Sequence, residues 1–236
     1  MGFDINHLLL ALREALRYTP VTLELAFMPL LVGLLLGTGI VLTRVYRVKV
    51  VSQFFQALVV VFKGIPVVLL LLTAYFLFVN GFDVVAERFH WVIRAKDISN
   101  VYVAIFALSV FATVNLSEAL RGALLSVEKG QVEAAYAVGL TGWQALRRIV
   151  LPQAFPVALP MLCSTLIGLV KGSSLVFMIS VMELLNGAMV TATANYRFLE
   201  SYVAAAIVYW ALCIVIERVF YSLEKRFSAY RRKLTA

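Results

Sequence analysis

The sequence predicts an all-helical protein that crosses a membrane five times, and three observations carry that prediction. First, 62% of the 236 residues are hydrophobic and 14% are charged, with a mean hydropathy of +0.92. A water-soluble domain is about half apolar and about a quarter charged, so a soluble core has no room for this surplus. Second, charges punctuate the chain so that five stretches approach the ~20 uncharged residues a spanning helix needs. Third, lysines and arginines gather at alternate ends of those stretches, as they do where loops face the cytoplasm. The net charge of +8 is therefore scattered over segment ends and forms no nucleic-acid-binding patch.

The elements follow in order. Residues 1–21 form an N-terminal segment on the outer side, in which Leu8, Leu9, Leu12 and Leu16 recur at near-helical spacing. They predict a short amphipathic helix over 6–18, lying on the membrane surface. Arg13, Glu14 and Arg17 interrupt what would be the apolar core of a cleavable leader, and Asn6 stands where a myristoylation motif needs Ser or Thr. The spans are 25–43 between Glu24 and Arg44, 64–82 between Lys63 and Asp83, 98–117 between Asp97 and Glu118, 149–170 between Arg148 and Lys171, and 201–216 between Glu200 and Glu217. Val219, Phe220 and Tyr221 extend the last. Stretch 172–182 is uncharged but too short for a sixth crossing, and suits a re-entrant piece or a tilted continuation of span four.

One set of flanks holds Arg44, Arg47, Lys49, Lys63, Arg121, Lys129, Arg147, Arg148, Arg218, Lys225, Arg226, Arg231, Arg232 and Lys233; the other holds only Arg13, Arg17, Arg88, Arg94, Lys96 and Arg197. This bias places the N-terminus outside and the C-terminus inside. Residues 22–222 make a single transmembrane domain and 223–236 a basic cytoplasmic tail. An odd span count argues against an inverted repeat within one chain, and five helices are few to enclose a polar path, so a dimer is expected. Trp91, Trp210, Tyr196, Tyr202 and Tyr209 include several residues expected near membrane interfaces. Cys163 and Cys213 fall inside apolar stretches and are expected as small core residues, with no metal site. Gly33 and Gly37 in span one are expected to serve helix packing.

The cytoplasmic loop before span four is the most distinctive stretch. Glu133, Ala134, Ala135, Tyr136 and Ala137 favour a helix; Gly139 suits its C-cap or a tight bend; Thr141 caps a second short stretch ending near Leu146. Pro152, Pro156 and Pro160 open span four, tolerated in the first turn and kinking beyond it. Two readings of this loop stand on local physics: an ordinary surface helix, or a docking knob in which two alanines allow close seating, Glu133 orients, and Gly139 sets the angle to the spans. No catalytic constellation is visible. The chain has no phosphate-binding Gly-x4-Gly-Lys-Ser/Thr sequence and no His-Glu-x2-His, so it does not hydrolyse ATP by that route; no cofactor is expected on this chain, and ATP hydrolysis is expected on a separate one.

Glu133-Ala134-Ala135, Gly139, Ile149, Leu151 and Pro152 resemble the coupling-loop pattern of type I ABC importer permeases at every fixed position. With residue frequencies near ~5–10% each, such a match is rarely accidental. From about Thr22 to Ser222 the chain is similar to the polar amino acid branch, whose permeases serve histidine, glutamine, arginine and cystine. The supporting runs are Lys63-Gly64-Ile65-Pro66, Glu118-Ala119-Leu120-Arg121-Gly122, Ser126-Val127-Glu128-Lys129-Gly130-Gln131, Leu151-Pro152-Gln153-Ala154, Lys171-Gly172-Ser173-Ser174-Leu175 and Met182-Glu183-Leu184-Leu185. Lys63 replaces the branch's Arg, Ile65 its Thr, Gly172 an acidic residue, and Ser164-Thr165 an Asn followed by a polar or acidic residue; these departures bear on the substrate and leave the loop pattern untouched. The resemblance implies a permease subunit of a bacterial inner-membrane importer. Its implied partners are two copies of an ATP-binding subunit, a second permease of the same or a homologous kind, an extracytoplasmic solute-binding protein and the lipid bilayer, with no nucleic acid. It implies that Glu133, Ala134, Ala135, Gly139, Leu140 and Thr141 couple to the ATPase.

The candidate substrate path is Ser164, Thr165, Gly168, Lys171, Ser173 and Ser174. The first four share helical spacing on span four, where small and hydroxyl residues line a path or let helices pack closely. An ionisable group within a span faces a cavity or a partner: Lys171 meets a substrate carboxylate, pairs across a dimer, snorkels, or pairs with Glu183. Hydroxyls and one cation without a carboxylate disfavour a cationic amino acid such as arginine and suit a zwitterionic or acidic one. General similarity within the branch points to cystine or a related sulfur amino acid. The rival functions are an ATP-independent carrier and a non-transporting membrane scaffold.

Overall fold

The computed structural model describes residues 2–45 and 49–235, with side chains described as far as Phe227. The side chains of Arg47, Lys49, Arg231, Arg232 and Lys233 among the counted flanks lie outside what is described. All regular structure among the described residues is helical, and five helices are long and apolar enough to cross a membrane, as the charge punctuation predicts.

Helix α1 spans Ile5–Val45, a rise of about 60 Å at 1.5 Å per residue and so about twice a bilayer's hydrocarbon core. The separate surface helix expected over 6–18 is not present; it is the first third of α1, which continues through Pro20 and Pro29. The reason lies in what it packs against. His7, Ala11, Ala15 and Thr22 are buried, at spacings that place them on one helix face. The leucines that suggested amphipathicity stay half-buried or exposed, Leu9 and Leu16 by more than half. Ala11 and Ala15 join a buried cluster with Leu184, Ala188, Ala204 and Val208 from the far end of the chain.

Helix α2 (Lys49–Lys63) is an element the span count did not contain; its apolar run is shorter than a crossing requires. Helix α3 (Val67–Arg88) is peripheral, with 6% of its apolar window buried within the chain, against 56% for α4 (Asn100–Leu125). Helix α4 is thus the central post, packed by α1, α7 and α3. Its contact with α1 is close because Gly33 and Gly37 are small. A Cβ on Gly33 would lie 2.6 Å from the Ala112 Cβ, and one on Gly37 would lie 3.1 Å from the Ser117 backbone nitrogen. The expected packing role of this glycine pair is what the structure shows.

Two short helices, α5 (Lys129–Ala137) and α6 (Gly142–Ala145), form the loop before span four. A π-turn over Leu146–Val150 leads into α7 (Leu151–Gly172). Pro152 cannot donate a helical hydrogen bond and its ring crowds the carbonyl four residues back, so the wider turn sits where the ordinary one is obstructed. After α7 the chain tightens to a 3-10 turn over Ser173–Ile179, stopped by Ser180 in the left-handed region at φ 60°. Stretch 172–182 is therefore a continuation of span four. Helix α8 (Leu184–Val190) and helix α9 (Phe198–Thr235), which carries span five, complete the fold. Cys163 and Cys213 are free thiols, Cys213 buried and Cys163 half-buried.

Candidate functional site

The loop folds as its residues dictate. Helix α5 ends at Ala137; Gly139 then takes φ +79°, a left-handed conformation that side chains with a Cβ disfavour. Its N–H reaches the Tyr136 carbonyl at 3.0 Å, and the Leu140 N–H reaches that of Ala135 at 3.0 Å, which closes the helix end. Thr141 opens α6 with a reciprocal cap: its Oγ1 accepts from the Gln144 N–H at 3.3 Å, and its own N–H donates to Gln144 Oε1 at 2.8 Å. The result is a two-helix knob with a fixed bend.

The knob presents Glu133 and Ala134 outward, with Gly139 and Thr141 exposed and Leu140 half-buried. Ala135 departs from expectation. It is 4% exposed and packs inside the knob, so it holds the chain's own helices together and is not offered to a partner. The large outward groups are Tyr136, Val138 and Trp143, exposed by 54%, 77% and 64%. The residue pattern did not single these out as docking groups, although three bulky apolar side chains within eight positions of a polar loop were visible. Such a cluster marks an interaction surface.

On span four, Ser164 and Lys171 are exposed and Gly168 is half-buried, one strip opposite the buried Leu166, Leu169 and Val170. A Cβ at Gly168 would meet nothing within 4 Å, so the strip borders open space. The hydroxyls of Thr165 and Ser174 donate to their own helix, to the carbonyls of Met161 at 2.9 Å and Lys171 at 2.7 Å. Ser173 does not reach the strip. It is fully buried, with its Oγ 2.8 Å from the Val170 carbonyl, because nine residues beyond Ser164 at about 100° per residue is the opposite helix face, that of Leu166 and Leu169.

The expected pairing of Lys171 with Glu183 is also corrected. Lys171 makes no ion pair among the described residues, and Glu183 is fully buried elsewhere. The Glu183 carboxylate caps α8 by accepting from the N–H groups of Leu185 at 2.8 Å and Asn186 at 3.1 Å. It also accepts from the hydroxyls of Thr22 at 3.2 Å and Tyr209 at 2.6 Å. Burial pushes this carboxyl above the usual carboxylate range, with the four hydrogen bonds opposing that rise. Tyr209 is thereby an internal strut and not an interface anchor. The knot joins α1, α8 and α9.

The chain matches, over residues 30–229, the model of the family described as "Binding-protein-dependent transport system inner membrane component". It is 33% identical over 219 residues to the probable amino-acid ABC transporter permease protein PatM of Vibrio harveyi, covering 93% of this chain and 94% of that one. It is 35% identical over 225 residues to the L-cystine transport system permease protein TcyL of Bacillus subtilis, covering 95% and 92%. A solved structure described as an amino acid ABC transporter with histidines superposes with a TM-score of 0.80 at 25% identity, over 96% of this chain and all of that one. The five-span architecture, the capped knob before span four and these likenesses agree: the chain belongs to the inner membrane components of binding-protein-dependent transport systems.

Proposed function

We propose that this chain is half of the translocation path of an ATP-driven importer of polar amino acids, with its N-terminus outside and its C-terminus in the cytoplasm. The observation that carries the proposal is the knob: a bend fixed by Gly139 and the Thr141 cap, presenting Glu133, Tyr136, Val138 and Trp143, which the described residues leave exposed. Two copies of a P-loop ATPase take the paired knobs of two permeases. Their closure on ATP moves α5 and α6, and the π-turn passes that motion to α7. The two-state equilibrium between inward- and outward-open forms shifts because ATP binding favours one of them. A solute-binding protein delivers substrate from outside, and the second permease is a copy or a homologue. The basic flanks support the orientation, and the names of PatM and TcyL support amino acid transport. The Ser164–Gly168–Lys171 strip, with a cation and no carboxylate, suits a zwitterionic or acidic amino acid, cystine among them.

The test is co-purification from mild-detergent membranes, with mass spectrometry of what accompanies the tagged chain. Wild type is expected to bring a P-loop ATPase, and a Glu133→Arg, Trp143→Ser double variant to lose it while keeping its elution volume. Absence of an ATPase, or its full retention by the variant, overturns the coupling role of the knob and moves a carrier or a scaffold ahead.

A further inference from the structure

The end of span one carries a second polar constellation that the transport cycle does not use. A cavity of about 460 Å³ opens between α1, α2 and α4, lined by Arg44, Lys63, Arg121 and Glu118, with Ser52 and Gln56 beside them. Arg44 Nη1 lies 2.6 Å from Glu118 Oε1, and Arg121 Nη2 lies 2.9 Å from Glu118 Oε2. Two guanidinium groups thus share one carboxylate. Lys63 is exposed and makes no ion pair among the described residues. Three cations set against one carboxylate leave the cavity with two uncompensated positive charges.

Its position narrows what could neutralise it. The first span ends at Arg44, the second begins at Val67 just beyond Lys63, and Arg121 lies in the last turns of α4. All three cations therefore sit at one membrane–water boundary. The wall of the cavity that α2 supplies is partly apolar: Val59 and Val60 line it beside Ser52, Gln56 and Lys63, with Val60 exposed by 66%. A free anion would leave these apolar groups uncovered. An anionic phospholipid covers both features, its phosphate among the cations and its acyl chains along α2, and basic pockets between membrane helices on the cytoplasmic side take such headgroups.

We propose that this cavity binds the phosphate of an anionic phospholipid, with Lys63 and Arg121 as its main cationic contacts, Arg44 held in place by Glu118, and Ser52 and Gln56 as neutral hydrogen-bond partners. None of its lining residues belongs to the knob or to the strip on span four. It gives α2, which is too short to span, a reason to lie at the boundary.

Native mass spectrometry of the full chain, exchanged into micelles holding equal phosphatidylglycerol and phosphatidylcholine, tests it. Wild type is expected to retain phosphatidylglycerol in preference. Lys63→Gln is expected to reduce that retention about five-fold, the effect of one basic residue at an anionic surface. Lys96→Gln, an exposed cation in the connection at the opposite end of the bundle, is expected to leave it unchanged. Equal retention of the two lipids by wild type, or an equal loss from both variants, overturns the site. Displacement of phosphatidylglycerol by millimolar inorganic phosphate overturns the lipid as occupant and leaves a small-anion site.

Discussion

Lys171 and Glu183 stand on the same stretch of chain and are treated oppositely. Glu183 is fully buried, and four donors from three helices converge on it. Lys171 is exposed, on a strip with open space beside Gly168 and no partner among the described residues. A buried carboxyl that the fold surrounds with donors belongs to the architecture. A charge within a span that the fold leaves open is kept for something outside the chain. The sequence displays both as ionisable residues near the end of span four, and only the helices from elsewhere in the chain tell them apart.

The comparison can be broken from the Glu183 side. Glu183→Leu leaves the Thr22 and Tyr209 hydroxyls and two N–H groups of α8 without an acceptor. It is expected to destabilise the folded chain by about 3 kcal/mol or more, since each buried orphan costs ~1–3 kcal/mol; a thermal melt of the detergent-solubilised protein that stays at the wild-type midpoint refutes the strut role. Tyr209→Phe removes one donor and leaves three. Its expected cost is about 1 kcal/mol, read in the same melt, with substrate uptake preserved. Lys171→Gln is expected to move stability by no more than ~0.5 kcal/mol, as surface changes do, while altering uptake of an acidic or zwitterionic amino acid in reconstituted vesicles. A clear loss of stability with unchanged uptake would make Lys171 structural and erase the contrast.

Much of the fold was legible, for reasons that can be named. Charges bound the five spans because a bilayer excludes them, and every one of those uncharged stretches falls largely in a helix long and apolar enough to cross a membrane. The knob was legible because its signals are local: helix formers, then Gly139, then the Thr141 cap. The face of α1 was not. Leu8, Leu9, Leu12 and Leu16 suggested an amphipathic stripe, but lipid solvates leucine as well as a protein core does, so leucine periodicity does not mark the packed side. Ala11, Ala15, Gly33 and Gly37 mark it, because small residues are what let helices approach. The Glu183 knot was illegible because Thr22 and Tyr209 reach it from distant parts of the sequence. The burial of Ser173 was legible in helical periodicity, which sets it opposite Ser164 and on the face of Leu166 and Leu169. Of the candidate site, the exposed Tyr136, Val138 and Trp143 were present in the sequence but were passed over for the small residues beside them.

The pairing of α1 with α8 and α9 has a consequence for how the protein is made. Asp4 is held by Glu200, His7 by Ser201, and Thr22 by Glu183, so α1, which leaves the ribosome before α8 and α9, finds these polar partners only when both have been synthesised. Until then His7 and Thr22 lack the side chains that hold them in the folded chain. A chain stalled before α8 would carry that polar seam on α1 without its partners, which is the kind of surface that membrane quality control can recognise and remove.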